Sequence, residues 1–233
     1  MQTNTDPIKA QNLNQDAAIE AVLHGTRLER GRLGLGALRE LMKDPENTEM
    51  VFVLALALNR ERVGILLGQL AASESGSWLL DNKPEISSKT IDYDDLRALP
   101  EATLGREYVR FLDDNNLDAD FFEEPPGLPP MIGFIAKRMR QVHDVWHTVT
   151  GYGSDPAGEV ELQAFTFAQV GVPSSALIAI SGSVRGVLTR DISLPGRAFR
   201  AYLRGKRAGL FTPVIWENQW ERPLADVRAE LGL

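Results

Sequence analysis

Two histidines lie one helical turn apart, at His143 and His147, and Glu159 follows His147 after eleven intervening residues. On an α-helix the spacing i, i+4 places two side chains on the same face, with Cβ atoms about 5–6 Å apart. Two imidazole nitrogens at that separation can converge on one ion at about 2.0–2.1 Å, as in helical zinc sites. A carboxylate that reaches the same point adds a third ligand. The spacing therefore predicts a metal site.

Asp144 lies beside the first of these histidines. It is about 100° around the helix from His143, because an α-helix has 3.6 residues per turn. Its carboxylate can bend in as a further metal ligand, or it can stay outside the ligand shell and accept a proton from metal-bound water. The spacing leaves both roles open. The remaining histidine, His24, is interpreted as a structural or surface residue.

A His-x-x-x-His pair alone is a weak signal, because such pairs also occur incidentally. Here the pair lies beside an apolar stripe, where unpaired polar rings are costly to bury. Zincin peptidases need His-Glu-x-x-His, and diiron bundles need two Glu-x-x-His motifs, neither of which occurs. The chain has no cysteine, so thiolate zinc sites, iron–sulfur clusters and disulfides are excluded.

The elements that must position these residues are helices. A single amphipathic helix is predicted over Met131–Thr150, since apolar residues recur at spacings of four and three through this stretch. The residues Gly151–Ser154 predict a turn, and Asp155-Pro156 is typical of a helix start that continues to about Val170. The predicted metal site thus lies between two consecutive antiparallel helices.

No convincing strand is found, so the predicted fold class is all-α. We expect a single multi-helix domain over residues 17–233, after a disordered or loosely held N-terminus over residues 1–16. The proline-rich loop Pro125–Pro130 is the natural place for a subdomain boundary. The other predicted helices are Ala17–Lys43, one from Asp44-Pro45 to Leu58, Arg60–Ala72, a short turn after Asp92, Leu104–Asp114 after Thr103, a short one from Ser174, and Pro213–Leu231.

Composition limits the partners. Twenty-five basic and thirty-two acidic residues give a net charge of −7, which argues against nucleic-acid binding. The N-terminus does not resemble a secretory signal or a mitochondrial presequence, and no apolar run reaches the roughly twenty residues of a spanning helix. These features predict a cytoplasmic protein, with a peripheral position on the inner membrane face left open.

The motif His143-Asp144-x-x-His147-x(11)-Glu159 resembles the signature of the coenzyme Q (ubiquinone) biosynthesis protein 4 family. The resemblance covers roughly residues 20–233. Because the chain lacks the mitochondrial presequence of eukaryotic members, it resembles a bacterial relative. Further segments that match the family are Leu99–Tyr108, Met139–Val142, Gly158-Glu159, Gln163–Phe165, Ala168–Pro173 and Trp220–Gly232.

The resemblance implies one divalent metal ion per chain, with zinc as first choice and magnesium or another divalent ion as alternatives. It implies that His143, Asp144, His147 and Glu159 hold this ion. The implied function lies in ubiquinone-type prenylquinone biosynthesis. The implied activity is that of a metal-dependent oxidative decarboxylase, a lyase that removes the ring carboxylate of a prenylated hydroxybenzoate with hydroxylation of that carbon. Asp144 is the candidate catalytic residue, and no substrate-binding residue is assigned.

The alternative is a non-catalytic isoprenoid-lipid-binding scaffold that organises quinone-biosynthesis enzymes at a membrane surface. The expected partners are an isoprenoid lipid or prenylated aromatic quinone precursor, other enzymes of the pathway, a membrane surface and a second copy of the chain in a homodimer. The apolar stretches Val51–Leu58 and Val63–Leu70 either line a lipid tunnel or form ordinary core. The basic stretch Arg185–Arg207 either faces anionic headgroups or is a solvated helix face.

Overall fold

The computed structural model describes residues 20–43, 48–120 and 128–233. Within these ranges the regular secondary structure is helical, without a β-strand, which confirms the all-α prediction. The predicted N-terminus over residues 1–16, the helix start at Asp44-Pro45 and the first half of the proline-rich loop lie outside the described residues.

The helices are numbered here in chain order along the described ranges. A short 3₁₀ turn, Trp216–Asn218, precedes the last of them. They are α1 (Arg27–Lys43), α2 (Thr48–Ala71), α3 (Glu74–Asn82), α4 (Tyr93–Ala98), α5 (Leu104–Asn115), α6 (Pro130–Gln141), α7 (His143–Thr150), α8 (Pro156–Val170), α9 (Pro173–Leu188), α10 (Leu194–Arg207) and α11 (Leu224–Glu230).

The prediction of two helices on either side of Asn59 is wrong, because α2 continues through this polar stretch. The polar residues are contacts with other helices. Asn59 Nδ2 donates to Ser174 Oγ at 2.7 Å, and Arg62 Nη2 donates to the carbonyl of Val170 at 2.7 Å. Tertiary hydrogen bonds therefore bind side chains that the sequence pattern assigned to a helix end, although Arg62 Nε is buried without a hydrogen-bond partner among the described residues.

Two further helix boundaries differ from the prediction. The helix predicted over Met131–Thr150 is divided at Val142, whose ψ of −5° separates α6 from α7. The helix predicted over Pro213–Leu231 is replaced by the 3₁₀ turn and the short α11. Pro223 explains why no helix runs unbroken from Pro213 to Leu231. Its nitrogen carries no hydrogen, so it cannot donate the backbone hydrogen bond that a continuing helix needs at this position.

The first predicted helix is divided. The long helix expected over Ala17–Lys43 is interrupted after the helical residues 20–24, and α1 starts at Arg27. Thr26 and Glu29 form a capping box there: the amide of Thr26 donates to Glu29 Oε2 at 2.7 Å, and the amide of Glu29 donates to Thr26 Oγ1 at 3.3 Å.

The main core holds α7 in place. Trp146 and Val149 of α7 are almost fully buried, and the Trp146 ring packs edge-on against Phe211 with centroids 5.2 Å apart. Leu66 and Leu70 of α2 belong to the same core, which favours the ordinary-core interpretation for these two residues. No helix among the described residues has the length and hydropathy needed to cross a membrane.

The end of α7 is fixed by two arginines from other helices. Arg204 of α10 donates to the carbonyl of Thr150 at 2.7 Å. Arg228 of α11 donates to the carbonyls of Val149 at 2.8 Å and Thr148 at 3.0 Å. Cationic side chains satisfy the last carbonyls of a helix and interact favourably with its dipole. The helix that carries both histidines is therefore anchored at its C-terminal end.

Candidate metal centre

Three of the predicted site residues meet at one point. His143 and His147 project from α7, and Glu159 projects from the first turn of α8. The two histidine Nε2 atoms lie 3.2 Å apart, and Glu159 Oε2 lies 3.2 Å from Nε2 of His143 and 3.1 Å from Nε2 of His147. Each residue thus offers one donor atom to a nearly equilateral triangle, which we call the donor triangle.

The size of the donor triangle fits a divalent ion. Ligands held at about 2.0–2.1 Å from a tetrahedral zinc ion are separated from one another by about 3.3–3.4 Å. Adjacent ligands of an octahedral magnesium ion at about 2.0–2.1 Å are separated by about 2.8–3.0 Å. The observed edges of 3.1–3.2 Å fall between these values. Two imidazole nitrogens and one carboxylate oxygen suit either ion, and they leave further coordination positions for water or substrate.

The donor atoms are oriented by contacts outside the triangle. His147 Nδ1 lies 3.0 Å from the carbonyl oxygen of Tyr152, which requires Nδ1 to carry the hydrogen and leaves the Nε2 lone pair free. Gln163 Nε2 donates to Glu159 Oε1 at 2.7 Å, so the other carboxylate oxygen remains available. The Phe111 ring stacks on the His147 ring, with centroids 5.2 Å apart and planes 18° from parallel.

The electrostatics of the cluster favour a cation. Burial opposes ionisation of Glu159, but the hydrogen bond with His143 and the contact with His147 outweigh burial and hold the pKa of Glu159 far below its usual range. Burial also opposes protonation of His143, but the hydrogen bond with Glu159 and its negative charge leave the pKa of His143 raised. The carboxylate of Glu159 is therefore ionised at neutral pH and can bind a positive ion.

Asp144 is not part of the donor triangle. Its carboxylate is half-buried next to His143 on α7, and the group of potential ligands consists of His143, His147 and Glu159. Burial is the main cause that raises the pKa of Asp144, and the negative charge of Glu159 acts in the same direction. The nearby histidines oppose this shift. The structure thus brings together three of the four residues that the resemblance implied as ligands.

Three supporting contacts were not identified from the sequence. Gln163 lies at i+4 from Glu159, so its contact could have been found from helical spacing. The carbonyl of Tyr152 leaves no signal in residue type, and Phe111 is distant in sequence. His24 is exposed and lies 3.6 Å from Glu20, as expected of a surface residue.

Comparison with known proteins gives a family match over residues 20–233, to the model described as coenzyme Q (ubiquinone) biosynthesis protein Coq4. The chain is 29% identical over 234 residues to the human mitochondrial ubiquinone biosynthesis protein COQ4 homolog, with 97% of this chain and 86% of the human protein covered. It is 32% identical over 220 residues to the COQ4 homolog of Drosophila ananassae, covering 88% of this chain and 78% of that protein.

A solved structure is also similar. The crystal structure of a protein from Nostoc punctiforme PCC 73102, assigned in its description to ubiquinone biosynthesis, matches with a TM-score of 0.71 and 27% sequence identity. The match covers 87% of this chain and 97% of the Nostoc chain. The similarity therefore extends over almost the whole fold.

Proposed function

Since the chain belongs to the coenzyme Q (ubiquinone) biosynthesis protein Coq4 family, we propose that it acts in ubiquinone-type prenylquinone biosynthesis as a metal-dependent oxidative decarboxylase. Its substrate is a prenylated hydroxybenzoate, whose ring carboxylate is removed while the same carbon is hydroxylated. The observation that carries this proposal is the donor triangle of His143, His147 and Glu159.

The ligand set supports a catalytic ion more than a purely structural one. Structural zinc sites usually contain cysteine and fill all four positions with protein ligands, whereas catalytic sites keep a position for water or substrate. His143, His147 and Glu159 supply three ligands, and we propose that one divalent ion, zinc or magnesium, is held by them. When bound, such an ion supplies Lewis-acid chemistry at the open positions.

The overall reaction fixes the co-reactants. Replacing a ring carboxylic acid by a hydroxyl group releases carbon dioxide and removes two electrons from the substrate. One oxygen atom of dioxygen balances this change. The second oxygen atom leaves as water after it takes up two protons and two electrons from a reductant. The proposal therefore requires dioxygen and a two-electron donor.

We assign the proton transfers of this reaction to Asp144. Burial raises the pKa of its carboxyl group, which makes its carboxylate a better proton acceptor than that of an exposed aspartate. Because Asp144 adjoins His143 without joining the donor triangle, its carboxylate is available to take the proton of the substrate acid. Tyr152 and Gln163 keep His147 and Glu159 in their binding orientation during the reaction.

A direct experiment is complementation of a quinone-deficient bacterial strain that lacks its own family member. Expression of this chain should restore quinone, and the His143→Ala, His147→Ala variant should accumulate the precursor that still bears its ring carboxylate. Mass spectrometry of the lipid extract distinguishes the two. Accumulation of a precursor that has already lost the carboxylate would contradict the proposed reaction.

A second function is favoured by a separate observation. The end of α9 and the α9–α10 connection expose two large apolar side chains, Leu188 at 78% and Ile192 at 80% exposure, beside the exposed Arg185 and Arg190. Apolar residues flanked by basic ones are typical of surfaces that bind the membrane interface. This arrangement supports a scaffold that binds isoprenoid lipid and assembles pathway enzymes, as a homodimer or otherwise, at the inner membrane face.

The scaffold function has its own test. A Leu188→Ser, Ile192→Ser variant should lose sedimentation with phosphatidylcholine–phosphatidylglycerol vesicles, because both apolar contacts are removed. A prenyl ligand that binds only the native state should raise the melting temperature of both the wild type and this variant. Unchanged vesicle binding by the variant would exclude this surface, and no melting shift with several chain lengths would exclude lipid binding.

A further inference from the structure

A positively charged cavity lies between α10 and the chain after α11, on the opposite side of α10 from its buried face. Its volume is about 320 Å³. The cavity is lined by Arg200, Leu203, Arg204, Arg207 and Gly232. The three arginines belong to the basic stretch of the sequence, and neither the donor triangle nor Asp144 accounts for them.

The positions of the arginines are set by helix geometry and packing. They are spaced i, i+4 and i+7 on α10, so they lie along one face of the helix. Small residues on the other face allow close contact with α8: a Cβ atom at Gly205 would lie 2.8 Å from the carbonyl oxygen of Phe165. On the far wall, the amide of Gly209 donates to the carbonyl of Leu231 at 2.8 Å. Both walls of the cavity are thus fixed by contacts.

The charge of the cavity is not balanced within the described part of the chain. Arg197, on the same helix, donates to Glu161 at 2.6 Å and is neutralised. No carboxylate among the described residues lies within ion-pair distance of Arg200, Arg204 or Arg207. The difference shows that α10 pairs one of its arginines and leaves the cavity arginines without an anion.

One of the three guanidinium groups is already held in place. Arg204 donates to the carbonyl of Thr150 and lies over the Tyr152 ring, 5.5 Å from its centroid. Burial first, and then the positive charge of Arg204, lower the pKa of the neighbouring Arg228. The positive charges of Arg204 and Arg228 repel each other, and a bound anion would offset this repulsion. The guanidinium groups of Arg200 and Arg207 have no anionic partner among the described residues, so they supply the donors for such an anion.

We propose that the cavity lined by Arg200, Arg204 and Arg207 binds a phosphate group. Guanidinium forks match the geometry of phosphate oxygens and form bidentate, charge-assisted hydrogen bonds with them. The group is carried either by a soluble phosphate or by an anionic phospholipid headgroup. The apolar Leu203 in the cavity wall, with Phe199 at 61% exposure beside Arg200, suits the lipid source. The site does not depend on the chemistry proposed for the metal centre.

The test compares two double variants with the same change of charge. Arg200→Gln, Arg207→Gln removes the two free donors and leaves Arg204, which also anchors α7. The control is Arg32→Gln, Arg39→Gln, because these exposed residues have the same i, i+7 spacing on α1. All four side chains are exposed, so both variants should fold, as circular dichroism and melting will show.

Two binding arms separate the sources. Inorganic phosphate is titrated by calorimetry, and vesicles of phosphatidylcholine with phosphatidylglycerol are compared with vesicles of phosphatidylcholine alone by flotation. Loss of two charge-assisted contacts should weaken binding by at least about tenfold in the cavity variant and leave the control near wild type. Loss in the phosphate arm identifies a soluble ligand, and loss in the vesicle arm alone identifies a headgroup. Equal loss in both variants, or no binding by the wild type in either arm, overturns the proposal.

Discussion

The Nδ1 atom of His147 lies 3.0 Å from the backbone carbonyl oxygen of Tyr152. A carbonyl oxygen only accepts hydrogen bonds, so this contact places the imidazole hydrogen on Nδ1 and the lone pair on Nε2. The Nε2 atom faces His143 and Glu159. A turn between two helices therefore sets the tautomer of a candidate ligand, and its geometry depends on Gly151, which ends α7 with a φ of 78°.

Replacing Gly151 by alanine should destabilise the protein. Alanine in the left-handed region is less favourable than glycine by about 1 kcal/mol, and the nearest atom to a new Cβ, Arg228 Nη2 at 3.5 Å, leaves room for it. Urea unfolding should show this loss of free energy. The matched control is Gly64→Ala, in the middle of α2 with no atom within 4 Å, which should stabilise by about 0.5–1 kcal/mol. The same sign of change in both variants would contradict the role of Gly151.

Metal affinity should depend on pH through His143. The hydrogen bond with Glu159 outweighs burial and raises the pKa of His143, so the metal-free protein retains this proton above the usual value of about 6.5. An ion must displace the proton, and affinity should rise with pH until His143 is neutral, by at most about tenfold per pH unit. Glu159 adds no slope there, because its lowered pKa keeps it ionised.

The measurement is a zinc titration between about pH 5.5 and 8.5. The control is His24→Gln, which changes an exposed histidine and should reproduce the wild-type curve. Affinity that does not change with pH in the wild type would show that His143 is not a ligand.

Asp144→Asn should separate catalysis from metal binding. The variant keeps the size of the side chain and loses its proton-transfer function, so activity should fall by about 10²-fold or more. Metal content should be retained, because Asp144 lies outside the donor triangle. Complementation and precursor analysis provide the measurement. Asp81→Asn, an exposed change on α3, is the control, and normal complementation by Asp144→Asn would favour the scaffold function.

Tyr93→Phe should leave the protein as stable as the wild type or more stable by up to about 1 kcal/mol at neutral pH. The Tyr93 hydroxyl is buried and makes no hydrogen bond of normal geometry among the described residues, although the Tyr108 hydroxyl is near enough to lower its pKa, so its removal should cost little. Burial, followed by the charge of Asp120, raises the pKa of Tyr93 to about 12. A raised tyrosine pKa stabilises the folded state below pH 10, and this contribution is lost between about pH 10 and 12.

Melting curves at neutral pH and at about pH 11 test both effects. The wild type and a Tyr202→Phe control should lose more stability at high pH than Tyr93→Phe does. A Tyr93→Phe variant that is clearly destabilised at neutral pH would show that the hydroxyl has a partner.

The sequence was sufficient for the centre of the site. His143, His147 and Glu159 were found because helical spacing places side chains independently of their distant neighbours, and a proline after Asp155 marked the start of α8. Asp144 was harder to place: its angle around the helix is known from the spacing, but a flexible side chain leaves open whether its carboxylate joins the ligands.

The remaining differences have tertiary causes. Val142 continues the apolar stripe, so the pattern cannot mark the break that its backbone makes between α6 and α7. Asn59 and Arg62 look like a helix end, and only their partners on other elements show why the helix continues. The contact between His147 and Tyr152 uses a backbone carbonyl, which every residue type carries.

The most direct test of the account is elemental analysis of the purified protein. We predict about one divalent ion per chain in the wild type and in the Asp81→Asn control. The His143→Ala, His147→Ala variant should contain almost none while it keeps its helical circular dichroism, because the apolar face of α7 is unchanged. Full metal content in that folded variant would contradict the assignment of His143, His147 and Glu159 as the metal centre.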